Sequence, residues 1–159
     1  MASQPTVFIV DDDPAVSEAI TAVVKTIDLK PQSYGSAGEF LEAYKPTGPA
    51  CLILDVRMPG MSGLELQKEL RRTGVTLPII VVTGHADVRM AVEVMKEGAL
   101  EFLEKPFRMQ ELCDNIQKAI RLDTENWQRR QQKQNAHRRI AELTPAEPVS
   151  SPALQRAAR

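Results

Sequence analysis

Three short apolar runs stop abruptly at polar residues: Val7-Phe8-Ile9-Val10 before Asp11, Cys51-Leu52-Ile53-Leu54 before Asp55, and Pro78-Ile79-Ile80-Val81-Val82 before Thr83. Continuous rather than alternating apolarity is what a strand needs when both faces of its sheet are covered. Between these runs, apolar residues recur three and four apart. They do so at Val16, Ile20, Val23, Val24 and Ile27, at Leu64, Leu66 and Leu70, and at Ala91, Val92 and Met95, the period of a helix with one buried side. Two weaker strands, Gln32-Ser33-Tyr34 and Glu101-Phe102-Leu103, complete the series, each ahead of a further helical stretch, residues 37–44 and residue 108 onward. Five strand–helix units in strict alternation predict an α/β fold with a parallel, doubly wound five-stranded sheet and right-handed crossovers. Such sheets bind ligands beyond the carboxyl ends of their strands, where strand order reverses.

Size and charge narrow the field. The chain's 159 residues, 43% of them hydrophobic, suffice for one domain with a sizeable core and one extra element. A formal net charge of −1 provides no global attraction for nucleic acid or an anionic membrane. Cys51 and Cys113 have neither the number nor the spacing of a disulfide framework or a zinc site and read as buried free thiols. Residues 1–6 lack the basic and apolar segments of a secretory signal, and no stretch approaches the roughly 18 apolar residues of a membrane span. The expectation is a protein of the reducing cytoplasm with no membrane partner.

The polar residues at the strand ends carry the chemistry. Asp11-Asp12-Asp13-Pro14 has the composition of a helix start, yet three adjacent carboxylates exceed what a cap requires. Crowding them raises their pKa values unless a hard cation such as Mg²⁺ is present. Asp55 leaves the same sheet edge as Asp11 and Asp12, so three carboxylates could converge on one ion. Thr83-Gly84 and Glu104-Lys105-Pro106-Phe107 add a hydroxyl and an ammonium to that edge. Phosphoryl transfer to a carboxylate requires this inventory: an exposed nucleophile, a divalent ion, a cation and donors for the equatorial oxygens.

These four motifs, in this order, resemble the receiver domain of bacterial two-component response regulators over roughly residues 5–122. The resemblance implies a flavodoxin-like sheet of order 2-1-3-4-5. It makes Asp55 the phosphoacceptor for a sensor histidine kinase and Asp12 a direct Mg²⁺ ligand, with Asp11 binding the ion directly or through water. The Arg57 carbonyl becomes a further ligand, and Asp13 a cap. Lys105 pairs with Asp55 or a phosphoryl oxygen ahead of a cis bond to Pro106, and Thr83 donates its hydroxyl to the phosphoryl group. Phe102 is either a plain core residue or the aromatic switch that turns inward when Thr83 moves. The face of helix four and strand five, about residues 88–107, would then serve phosphorylation-dependent homodimerisation or docking. Arg57 and His85 flank the path of attacking water, as rim residues or as tuners of the phosphate's lifetime. A haloacid dehalogenase type of phosphatase is disfavoured, because Arg57 stands where its second acid would be.

The run from Thr83 to Val88, with Ala91-Val92 and Glu104-Lys105-Pro106-Phe107, is most similar to the FixJ-like branch, whose members usually carry a LuxR-type DNA-binding domain. Residues 1–122 read as the receiver, 123–143 as a polar linker helix, and 144–159 as a disordered tail. Leu143-Thr144-Pro145-Ala146-Glu147 looks like the opening of a helix-turn-helix domain that the remaining residues are too few to build. The expectation is a truncated transcription factor or a natural receiver without its effector, the former favoured. DNA would be reached only through that missing domain, and a receiver catalyses only its own phosphorylation and dephosphorylation.

Overall fold

A computed structural model describes residues 4–84 and 87–143. Five strands alternate with five helices: β1 (Thr6–Val10), α1 (Pro14–Thr26), β2 (Lys30–Tyr34), α2 (Ala37–Ala43), β3 (Ala50–Leu54), α3 (Gly63–Arg72), β4 (Ile79–Thr83), α4 (Val88–Lys96), β5 (Glu101–Glu104) and α5 (Met109–Leu143). The strands form one parallel sheet in the order β2-β1-β3-β4-β5. Strand order therefore reverses between β1 and β3, which puts the ends of those two strands side by side.

The continuous apolar runs are explained by what covers each face. Phe8, Val10, Leu52, Leu54, Ile79 and Val81 pack with α2, α3 and α4 through Phe40, Leu66 and Val94. The alternate residues, Val7, Ile9, Cys51, Ile53, Ile80 and Val82, meet α1 and α5 through Ile20, Val24, Leu112 and Ile116. Period-two side-chain alternation thus feeds two separate apolar layers, and neither face is left for polar residues.

The edges depart from the sequence expectation. β2 begins at Lys30, earlier than the Gln32 start read from its side chains, and includes Pro31. Proline supplies no N–H to a ladder, and β2 tolerates it as an edge strand paired on one side only. At the other side of the sheet the expectation holds: β4 ends at Thr83, and β5 ends at Glu104 with Lys105 directly after it. Of the two thiols, Cys51 is buried but Cys113 is only half-buried, because α5 turns it towards the rim of its layer.

Helix α5 is continuous for 35 residues. The compact unit that holds the sheet extends to Thr124, and residues from Glu125 onward form a second unit. Within that second unit the Arg130 guanidinium lies 5.2 Å from the centroid of the Trp127 ring, and Arg129 donates to Asn126. No helix among the described residues is long and apolar enough to cross a membrane. The expected tail, residues 144–159, lies outside the described residues, as do His85 and Ala86.

Candidate functional site

Strand β1 delivers Asp11 to the sheet edge, and the Asp11 N–H donates to the Tyr34 carbonyl of β2 at 3.3 Å. Asp55 is delivered the same way by β3, its N–H donating to the Val10 carbonyl at 3.0 Å. Both residues are buried, at 4% and 7% exposure, while Asp12 is exposed. Asp13 takes the capping role: its Oδ1 accepts from Ala15 N at 3.0 Å and opens α1, with Pro14 in the first helical turn. Asp11, Asp12 and Asp55 each place a carboxylate oxygen within 4.8 Å of the others.

Lys105 spans two of these acids. Its Nζ donates to Asp11 Oδ2 at 2.9 Å and to Asp55 Oδ2 at 3.3 Å. The Lys105 N–H donates to the Thr83 carbonyl at 2.9 Å, so β4 sets the height from which the side chain reaches across. The Lys105–Pro106 peptide is cis. Gly84 lies beside this stem, where an added Cβ would stand 3.9 Å from Lys105 Cβ and Cδ.

Burial is the largest influence on Asp11 and pushes its carboxyl above the ordinary value of 3.8. The Lys105 hydrogen bond, the Asp13 N–H and the Lys105 charge oppose that rise, and the neighbouring Asp55 charge reinforces it. For Lys105, burial pulls downward, but the hydrogen bond and charge of Asp11, then those of Asp55, outweigh it and hold the ammonium above its ordinary value. With all three acids ionised, one ammonium leaves two negative charges uncompensated. That excess and the hard oxygen donors suit a divalent cation.

The other predicted residues are placed as follows. Thr83 is fully buried at the end of β4. Phe102, on β5, is partly buried against the layer containing Val81, Val94 and Ala99. Arg57 is exposed, and its backbone N–H donates to Asp55 Oδ1 at 3.2 Å, which orients the carboxylate. His85 lies outside the described residues.

The structure adds Gly63, which the sequence motifs leave without a role. A Cβ on Gly63 would come within 2.3 Å of the Asp55 carbonyl oxygen and 2.7 Å of Val56 Cα. Its N–H donates to the Val56 carbonyl at 2.8 Å, and Ser62 and Glu65 close a capping box at the start of α3. Helix α3 is therefore packed directly on the Asp55 backbone. Only the chain turn of the intervening Pro59-Gly60-Met61-Ser62, with Gly60 at φ +77°, could have hinted at so close an approach.

Residues 7–117 match the response regulator receiver domain. The chain belongs to the response regulator receiver family. Among curated relatives, the response regulator protein TodT of Pseudomonas putida is 44% identical over 137 residues, which cover 86% of this chain and 57% of TodT. The transcriptional regulatory protein FixJ of Azorhizobium caulinodans is 40% identical, with 89% of this chain and 67% of FixJ covered. A solved structure of the response regulator StyR superposes with a TM-score of 0.84 at 40% identity, covering 89% of this chain and 72% of StyR. The matched part of the chain thus spans little more than half of TodT, and the fold and the similarity to FixJ agree with the sequence motifs.

Proposed function

We propose that this receiver accepts a phosphoryl group on Asp55 from a sensor histidine kinase and uses it to switch conformation and association. The observation that carries the reading is the bridge from Lys105 Nζ to Asp11 at 2.9 Å and Asp55 at 3.3 Å, beside a third carboxylate. One Asp55 oxygen attacks phosphorus as the P–N bond of the donor phosphohistidine breaks, and the departing imidazole keeps the electron pair and takes up a proton. Lys105 neutralises charge on the transferred group, and the Thr83 hydroxyl donates to one of its oxygens. Asp11, Asp12, Asp55 and the Arg57 carbonyl would hold Mg²⁺, which shields the oxyanions from one another. The protein turns over no external substrate in this reading beyond its phosphodonor.

Movement of Thr83 towards the phosphoryl group would let Phe102 repack and bias the α4–β5 face. That face has the exposed apolar surface an association site needs: Val88 is 81% exposed, Val92 46% and Met95 45%. Homodimerisation there, a receiver over residues 1–122 and a linker helix over 123–143 complete the proposal. Residues 144–159 would lead to a transcriptional effector, and action in the cytoplasm follows from that role. Arg57 and His85 are proposed to tune hydrolysis of the acyl phosphate.

Incubation with Mg²⁺ and acetyl phosphate, read on a phosphate-affinity gel, tests the reading. A retarded fraction that disappears on metal chelation is expected. No retarded species, or one indifferent to chelation, rejects it.

A further inference from the structure

The net charge of −1 conceals a local imbalance in the second unit. Between Glu125 and Glu142, helix α5 carries Arg129, Arg130, Lys133, Arg138 and Arg139 and no acidic residue. All five basic residues are exposed. At about 100° per residue, Arg129, Lys133, His137 and Arg130 fall within one stripe about 100° wide, which runs about 12 Å along the helix axis. Arg129 donates to Asn126 on the same stripe, and the Arg130 guanidinium stands 5.2 Å from the centroid of the Trp127 ring. Neither partner is an anion, so these contacts steady the two guanidinium groups and leave their charge in place.

Like charges on one helix face repel one another, and a polyanion relieves that repulsion. The residues between the cations select which polyanion. A helix that lies in a membrane surface needs a broad apolar face. In residues 126–141 the large apolar side chains are Trp127 and Ile140, and they sit about 140° apart around the helix. A protein interface needs a desolvated apolar or aromatic centre, which the stripe lacks. Its neighbours are instead Gln128, Gln131, Gln132, Gln134 and Asn135, uncharged groups that hydrogen-bond to phosphate and sugar oxygens.

We infer that the stripe of Arg129, Arg130 and Lys133 binds the phosphate backbone of double-stranded DNA without reading its sequence. One strand presents a phosphate about every 3.4 Å of duplex axis, so a stripe of this length meets about three. This contact is made by the chain itself and needs neither a phosphoryl group on Asp55 nor an effector domain.

Fluorescence anisotropy of a labelled mixed-sequence duplex of about 20 base pairs, titrated with the full chain between about 25 and 200 mM salt, tests this. Binding should saturate at low salt and weaken with a slope of log affinity on log salt of about −3, the value for three neutralised phosphates. Arg129→Gln with Arg130→Gln and Lys133→Gln should weaken binding at least about tenfold at low salt. Lys25→Gln with Lys45→Gln and Lys68→Gln makes the same change in net charge at exposed sites of the unit that holds the sheet, and should leave binding unchanged. Glutamine keeps good helix propensity, and the salt slope of the wild type is read without any variant. Vesicles of phosphatidylcholine and phosphatidylserine should bind far more weakly than the duplex. Absence of binding at low salt, an affinity indifferent to salt, an equal loss in both triple variants, or equal binding of vesicles and duplex each overturns the inference.

Discussion

Gly63 and Asp11 show how single residues constrain the proposed phosphorylation site from opposite directions. Gly63→Ala would drive a methyl group into the Asp55 carbonyl, which stands 2.3 Å from the ideal Cβ. The backbone of α3 or β3 must shift, with an expected loss of about 1–3 kcal/mol in denaturant unfolding and slower phosphorylation. Asp11 makes stability depend on pH and, on the proposed reading, on a bound cation. Its folded-state pKa is raised above 3.8, so its contribution to stability is fully present below that value and is lost as pH rises through the folded value. A divalent cation binds the ionised form, so Mg²⁺ should raise the melting temperature near neutral pH and have little effect in acid below 3.8. The Lys105 shift has the same sign, but its contribution fades only as pH climbs through a value above 10.5. A Mg²⁺ effect of equal size in acid and at neutral pH would contradict this assignment.

At the scale of elements, α5 does more than its composition suggests. Asp123, 2% exposed, accepts from the N–H of Ala50 at 2.9 Å and so pins the helix to the first residue of β3, whose last neighbour is Asp55. Its charge also adds to the burial that pushes the Cys51 thiol far up and keeps it protonated. Asp123→Ala should cost about 1–3 kcal/mol by leaving a buried N–H unmet, whereas Asp123→Asn, which keeps an acceptor, should cost less; equilibrium unfolding distinguishes them. The central strands were legible because burial on both faces writes an uninterrupted apolar run. The edge strand β2 was less so, since Lys30 and Ser33 face solvent and Pro31 is a poor strand former. Asp123 was illegible for a different reason. It opens a polar stretch that reads as a solvated helix, and its partner is 73 residues away in sequence.

At the scale of the whole molecule, the parallel sheet gathers the carboxylates, hydroxyl and ammonium at one edge and leaves apolar residues of α4 exposed, the face proposed for output. The acids, the hydroxyl and the ammonium could be assigned to that edge from strand order alone, because each directly follows or ends a strand. Their distances could not, since these depend on how β1, β3 and β5 twist relative to one another. Val88 and Val92 are exposed enough for substitution without disturbing the core. Val88→Lys with Val92→Lys should leave phosphorylation intact and hold the phosphorylated chain monomeric by light scattering, where wild type should shift towards dimer. A double variant that still dimerises would move the association surface elsewhere. The central claim is tested most directly by intact-mass analysis after incubation with Mg²⁺ and a small phosphodonor. Wild type should gain the mass of one phosphoryl group and Asp55→Asn none; no adduct on wild type, or an equal adduct on the variant, would contradict the assignment of Asp55.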